Sequence, residues 1–208
     1  WSPIPGWRSS FGACPADAPK NNLRVEAFTP PADVIAEVEK TMDAAGIDIC
    51  VLSHGAPSSQ KIPADIAIPL VRRVNDRLAA AVAANPTRLA AFAALPTADP
   101  QAAADELERC VAMGFKGAMV HGSCNGEFID LPKYWSIFAR AEKLDVPIYL
   151  HPAQPHPAVM DAYYKDYLAD FPMLARPAWG YAVECGTQVV RLVLSGVFER
   201  HPNLKIVL

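Results

Sequence analysis

One of the chain's five histidines, His151, stands where an imidazole can do chemistry. The run Val146-Pro147-Ile148-Tyr149-Leu150-His151-Pro152 reads as a buried strand stopped by proline, which has no N–H to give to a ladder. The side chain just before the stop is delivered to the strand tip, facing a loop. In parallel α/β folds the carboxyl ends of strands are where ligands and metals are held. His151 is therefore a candidate metal ligand. A histidine merely hydrogen-bonded at a strand end would give the same local pattern, and a single imidazole makes no metal site.

His121 ends a second apolar run, Val120-His121-Gly122, in the same way, so both imidazoles are expected to enter one mouth. It reads either as a site-lining residue or as a satisfied strand-end histidine. His54 follows a third apolar run, Ile47 to Ser53, and precedes Gly55-Ala56-Pro57; it is a candidate substrate contact or a solvated loop residue. Arg176 and Lys165, on the long loop after His151, could draw in an anion. Glu184 falls on a largely apolar helical stretch, where a carboxylate needs partners. His156 and His201 each precede a proline and suit solvated loop roles. No Gly-x-Ser-x-Gly elbow is present, and Cys124 has no base that sequence can pair with it.

The elements that must position these residues alternate. Asp33 to Ala45 has helical apolar spacing and Gly46 suits a left-handed exit. A helix follows from about Pro69 to Ala84, with Leu70, Val71, Val74, Leu78 and Val82 on one face. Arg88 to Leu95 reads as a strand, Asp99-Pro100 caps a helix running to Met113, and Lys116 to His121 is a strand. Asp130 is expected to cap a helix through Leu144, ahead of the His151 strand. Ala178 to Phe198 reads as helix and Leu204 to Leu208 as a final strand. Residues 1 to 31, rich in proline, glycine and serine, read as an irregular segment or lid.

Strands separated by helices of ten or more residues imply parallel pairing through right-handed crossovers. No strand is followed by a phosphate-cradling glycine pattern, which favours a barrel over an open doubly wound sheet. The expected fold is thus a TIM-like (β/α)8 barrel. A closed barrel needs eight strands and about 250 residues. Five strands are legible in 208 residues, so residues 32 to 208 are expected to be part of a longer barrel.

Half the residues are apolar and the net charge is −3, which leaves no basic surplus for nucleic acid. No apolar run approaches the roughly 20 residues of a membrane span. Five cysteines without Cys-x-x-Cys spacing suit reduced thiols in a cytoplasm.

Several segments together resemble the amidohydrolase-superfamily branch that holds gamma-resorcylate decarboxylase and aminocarboxymuconate-semialdehyde decarboxylase. They are Met42 to Ile47, Arg88 to Pro96, Asp105 to Cys110, Val146 to Pro152 and Ser195 to Ile206, in the family's order and spacing. Leu52 to Pro57, Asp130 to Tyr134 and Trp179 to Glu184 bring it nearest to the resorcylate type. The resemblance implies strands two to six of a (β/α)8 barrel with one divalent ion, zinc or manganese, at the strand tips.

His151 then matches a family metal ligand. The others, a Glu-or-His-x-His motif on the first strand and an aspartate after the last, have no counterpart in this sequence, nor has a histidine in a Gly-His-x-Gly-Glu stretch after the sixth strand. Trp179 matches an aromatic position beside a planar ligand, with core packing as the alternative, and His121 stands where resorcylate-type enzymes carry an amide. The implied activity is non-oxidative decarboxylation of a small aromatic or dienoic carboxylic acid by a homo-oligomer, with an aspartate outside this sequence as proton donor. A metal-dependent hydrolase of a lactone, ester or amide is the alternative, and a non-catalytic binding protein a third. The given stretch alone is expected to be inactive.

Overall fold

Apolar residues at helical spacing decide which face each helix buries, and short apolar runs between them supply the strands. In the computed structural model, which describes residues 32–55 and 58–208, the order is α1 (Ala32–Ala45), β1 (Cys50–Leu52), α2 (Ala64–Ala84), β2 (Leu89–Ala91), α3 (Pro100–Ala112), β3 (Ala118–His121), α4 (Trp135–Lys143), β4 (Ile148–His151), the single turn α5 (Pro157–Val159), α6 (Gly180–Leu194), α7 (Val197–Arg200) and β5 (Ile206–Val207). The lid expected over residues 1 to 31 lies outside the described residues.

Among the described residues every strand pairing is parallel. Cys50 to Leu52 lie opposite Leu89 to Ala91, Ala118 to His121 lie opposite Ile148 to His151, and Ile148-Tyr149 lie opposite Ile206-Val207. The two groups join where the Lys116 N–H donates to the Ala91 carbonyl (2.9 Å), Ala93 N–H to Gly117 O (2.8 Å) and Met119 N–H to Ala93 O (3.0 Å). The result is one wall of five strands in chain order, a segment of the expected (β/α)8 barrel. Gly117, at φ +145°, permits the close approach of β3 to β4, because a Cβ there would lie 2.3 Å from the Pro147 carbonyl oxygen.

The two faces of the wall differ. Ala118, Val120, Ile148 and Leu150 are fully buried, packed in the core with Leu107 of α3, Ile137 and Phe138 of α4, and Leu192 of α6. The opposite face of β3 and β4 carries Met119, His121, Tyr149 and His151, because strand side chains alternate.

Three helix boundaries also differ from expectation. α2 begins at Ala64 and accommodates Pro69 in its second turn. Only one backbone bond near the helix start is lost, while Ala67, Leu70, Val71, Val74 and Asn75 continue one buried stripe through it. Asp130 does not cap α4; the helix is entered through a 3-10 turn at Pro132–Tyr134. Asp130 instead accepts two hydrogen bonds from Arg191, 2.9 and 3.0 Å, tying the α4 entry to α6. The helix expected over Ala178 to Phe198 is broken at Gly196, which takes φ +82° between α6 and α7. Asp99 does cap α3 as expected, accepting from Gln101 N–H (3.1 Å) and Ala102 N–H (3.0 Å).

A buried polar staple, not foreseen from sequence, fixes helices to the wall. The Asn75 amide exchanges two 3.0 Å bonds with the Ala94 backbone and donates to Glu106 Oε1 at 2.8 Å. Glu106, 2% exposed, also receives Arg109 at 2.7 and 2.8 Å. Burial raises its pKa, but the Arg109 and Asn75 hydrogen bonds outweigh that and hold the carboxyl below its ordinary 4.5.

Candidate active site

β3 and β4 end together, so their terminal side chains meet. His121 and His151 are register partners with ring centroids 4.6 Å apart. The strands are held level past the tips, where the Gly122 N–H donates to the His151 carbonyl at 3.1 Å. Gly122, at φ +66°, makes the turn possible, since a Cβ there would stand 2.5 Å from the Ala153 methyl.

The two imidazoles are electrically different. His121 is 3% exposed, and its Nδ1 is buried without a hydrogen-bond partner among the described residues. Burial first, then repulsion from His151 and His54, push its pKa down to about 3, so the ring is neutral at physiological pH. His151 is half-buried, with Nδ1 2.7 Å from the Pro152 carbonyl oxygen. A carbonyl only accepts, so Nδ1 carries the proton and a neutral ring leaves the Nε2 lone pair free. That is how a metal-binding histidine is usually prepared, with its second nitrogen donating to a carbonyl or carboxylate. The ring therefore fits a metal as one ligand. Among the described residues no group of three or more histidine, cysteine, aspartate or glutamate side chains could complete a metal site.

A cavity of about 880 Å³ opens at this end of the wall, lined by His121, Asn125, Gln154, His156, Arg176 and Tyr181 among others. His151 is not among the lining residues and reaches the cavity through its contact with His121. His54 does not line it either; its Nδ1 is 3.3 Å from Ser58 Oγ, and burial lowers its pKa. Its influence on His121 puts it in the same neighbourhood. Trp179, expected on the cavity wall, is 56% exposed and not a lining residue; Tyr181, two positions on, supplies an aromatic side chain instead. Between them stands Gly180, where α6 begins and packs closely on the preceding turn, since a Cβ there would lie 2.4 Å from Ala175 O.

Other sequence expectations divide. Arg176 lines the cavity, whereas Lys165 is paired with Asp161 at 3.4 Å. His156 is exposed, as expected of a solvated loop residue, and also lines the cavity; its Nδ1 accepts from the Ala158 N–H at 3.2 Å. His201 is buried, with Nδ1 2.8 Å from Glu142 Oε2, because the preceding helix returns it onto the end of α4. Glu184 is 7% exposed and makes no hydrogen bond to a described residue; burial raises its pKa against the opposing pull of His156. Lys61, Gln154 and Tyr181 were missed, since no motif marks them. Gln154 lies just beyond the tip of β4 and Tyr181 just inside the start of α6, whereas Lys61, between β1 and α2, carried no such cue.

This arrangement, with histidines at adjacent strand tips under a cavity walled by the following loops, coincides with a family match. The sequence profile of the amidohydrolase family matches residues 22–208. The chain belongs to the amidohydrolase family. This amidohydrolase is 46% identical over 177 residues to the gamma-resorcylate decarboxylase of Rhizobium sp. (strain MTP-10005), covering 81% of this chain and 53% of the relative. It superimposes on the 2,6-dihydroxybenzoate decarboxylase from Rhizobium with a TM-score of 0.73 at 44% identity, covering 81% of this chain and 53% of that one. For the dihydroxybenzoic acid decarboxylase from Polaromonas sp. JS666, solved with bound manganese and the inhibitor 2-nitroresorcinol, the TM-score is 0.75 at 39% identity, with coverage of 82% and 52%. The amidohydrolase chain spans about half the length of the curated relatives it matches. Among its described residues no helix is long and apolar enough to cross a membrane.

Proposed function

We propose that the protein to which this chain belongs is a metal-dependent, non-oxidative decarboxylase of a small aromatic or dienoic carboxylic acid, of the resorcylate type. The observation that carries the reading is the pairing of His151, with its Nε2 free, and neutral His121 on adjacent strand tips. The relatives at 46% and 44% identity are named decarboxylases of resorcylate and 2,6-dihydroxybenzoate.

His151 would hold one divalent ion, zinc or manganese, through Nε2, with further ligands from residues outside those described. The bound ion would supply a fixed positive charge to orient the carboxylate and stabilise charge developing on the ring. His121 presents one N–H or one lone pair without adding charge, and so can hydrogen-bond a carboxylate or phenolic oxygen. Its 3% exposure keeps water from that edge. His54 and Trp179 remain proposed substrate contacts, the first through its proximity to His121 and the second as a flat surface for ring stacking. The reading includes a homo-oligomer in the cytoplasm, in keeping with the free thiols of Cys50, Cys110, Cys124 and Cys185.

The test is carbon dioxide release by the full-length, manganese-loaded protein from a panel of hydroxybenzoates, run beside acid release from lactones and esters. Carbon dioxide from at least one hydroxybenzoate is the expected result. Acid release from lactones or esters without carbon dioxide would replace this reading with a hydrolase, and no turnover in either panel would leave a binding protein.

A further inference from the structure

The outward face of α6 is unlike that of its neighbours. On α2 and α3 the exposed positions carry charge, among them Arg72, Arg73, Asp76, Asp105 and Glu108. From Gly180 to Leu194 only Glu184 and Arg191 are charged; the first is buried, and the second is turned to Asp130, donating at 2.9 and 3.0 Å. Val183, Gly186, Thr187, Val190 and Leu194 are all exposed, Val190 at 57% and Leu194 at 80%. Standing at i, i+3, i+4, i+7 and i+11, they form one stripe on the side away from buried Glu184, Gln188 and Leu192. A surface helix ordinarily keeps polar residues on that side, and one that is apolar all round is covered.

Gly186, at the centre of the stripe, weakens the helix without serving its packing. A glycine inside a helix is less stable than alanine there, yet a Cβ at Gly186 would meet nothing within 4 Å among the described residues. What it permits is the close approach of another helix, since the side chains at a contact set the distance between helix axes. The stripe is also palindromic. Val183 and Val190 stand equally far from the Gly186-Thr187 centre, so an antiparallel second copy of α6 would lay Val183 on Val190 and Val190 on Val183. An isologous two-fold contact requires that pattern. No charge on the stripe sets two copies against each other. Arg191 reaches the α4 entry from one flank of α6, so a further helix of a closed barrel would lie on the other flank, beside Ala182 and Val189, and leave the stripe open.

We infer that the protein pairs with a second copy of itself through α6, packed antiparallel on the same helix of its partner along Val183, Gly186, Thr187, Val190 and Leu194. The inference rests on the homo-oligomer included in the proposed function, and not on the chemistry proposed there. The stripe exposes on the order of 400 Å² in each copy, half of the roughly 800 Å² that each partner gives to a stable interface, and so supplies its apolar centre within a polar rim.

The experiment measures the mass of the full-length, manganese-loaded protein by sedimentation at micromolar concentration, with circular dichroism to follow the fold. The wild type is expected as a dimer or a multiple of one. Gly186→Leu puts a bulky, good helix former at the centre of the stripe and should halve the mass with the helix content kept. Val183→Glu combined with Val190→Glu sets like charges face to face and should also halve it. Val183→Glu combined with Val190→Lys pairs opposite charges across the two-fold axis and should keep the wild-type mass. A monomeric wild type would overturn the inference together with the homo-oligomer. An oligomer whose mass none of these variants changes would overturn this contact alone, and thermal stability lost at unchanged mass would mark the stripe as covered by the protein's own chain. Equal dissociation of the Glu-Lys and Glu-Glu combinations, both folded, would overturn the antiparallel pairing. Carbon dioxide release from the same preparation is read separately, so a protein that pairs through α6 without decarboxylating defeats only the proposed activity.

Discussion

His121 and His151 face each other across one rung of the β3–β4 ladder, with ring centroids 4.6 Å apart and planes inclined by 46°. Two imidazoles this close cannot both be protonated cheaply. Burial assigns the neutral state firmly to His121, and the Pro152 carbonyl fixes the tautomer of His151. The pair therefore offers one lone pair aimed for a metal and one neutral hydrogen-bonding ring beside it.

Replacing His151 with Ala in the full-length protein is expected to abolish turnover and lower the bound divalent metal, with the fold intact because the ring is only half-buried. Metal analysis after dialysis, together with circular dichroism, checks it. Wild-type metal content in the variant would show that His151 is not a ligand.

His121→Ala should act the other way, weakening carboxylate binding more than metal binding. Removing one neutral hydrogen bond to a bound anion corresponds to roughly 1.5–3 kcal/mol, or a tenfold or greater rise in KM. Titrating both variants with manganese and with a hydroxybenzoate separates the two roles, and equal loss of both ligands in both variants would contradict the division.

Asn75→Ala is predicted to be among the most destabilising single changes outside the site. It leaves the Ala94 backbone N–H and carbonyl without their partner in a fully buried place and removes one of the hydrogen bonds on Glu106 Oε1, which keeps Arg109, at a cost of about 2–5 kcal/mol. Urea denaturation should show the midpoint falling with little change in slope. A loss below that of an ordinary surface substitution would mean that the staple is dispensable.

The same staple predicts acid sensitivity. The folded-state pKa of Glu106 is depressed below its ordinary 4.5, so the unfolded chain binds the proton more readily. The stabilisation is present above the unfolded pKa and is lost as pH falls through the folded one. Glu106→Gln should lower stability near neutrality and flatten its dependence on pH below about 4.5, the ordinary carboxyl value. Stability curves between neutral and strongly acidic pH test this, and an unaltered acid limb would assign the effect to other carboxylates.

Gly122→Ala is predicted to impair the site through the backbone. A methyl at φ +66° meets the Ala153 methyl at 2.5 Å, and the left-handed conformation alone costs about 1–3 kcal/mol. The loops after both histidines must then separate, so affinity for a carboxylate inhibitor should fall together with thermal stability. A variant with unchanged affinity would show that the turn does not set the spacing of the histidine pair.

Local chemistry made much of this legible in advance. Apolar periodicity and proline stops marked β3, β4 and their terminal histidines, because a strand tip before proline or glycine is defined by a few adjacent residues. Asp99 was readable as a cap for the same reason, its side chain serving N–H groups two and three residues on. The order of strand and helix signals also implied parallel pairing, and with it that His121 and His151 share one end of the wall.

What remained hidden depends on residues distant in sequence. Asp130 looked like a helix cap, but Arg191, sixty-one positions away, takes its carboxylate. His201 looked solvated until the fold brought it onto Glu142, and Asn75 gave no sign that it would reach Ala94 and Glu106. Trp179 looked able to wall the cavity, whereas Tyr181, which no motif marked, is the aromatic side chain that lines it. The contact of Gln154 with Arg176 arises only because the loop after β4 and the approach to α6 fold over the same strand tips. The sequence by itself determined which elements form and which histidines end them, since those choices rest on spacing within a few residues. Only the tertiary structure decided which polar groups pair and which way the cavity walls face, because those choices belong to side chains that meet after the chain has closed on itself.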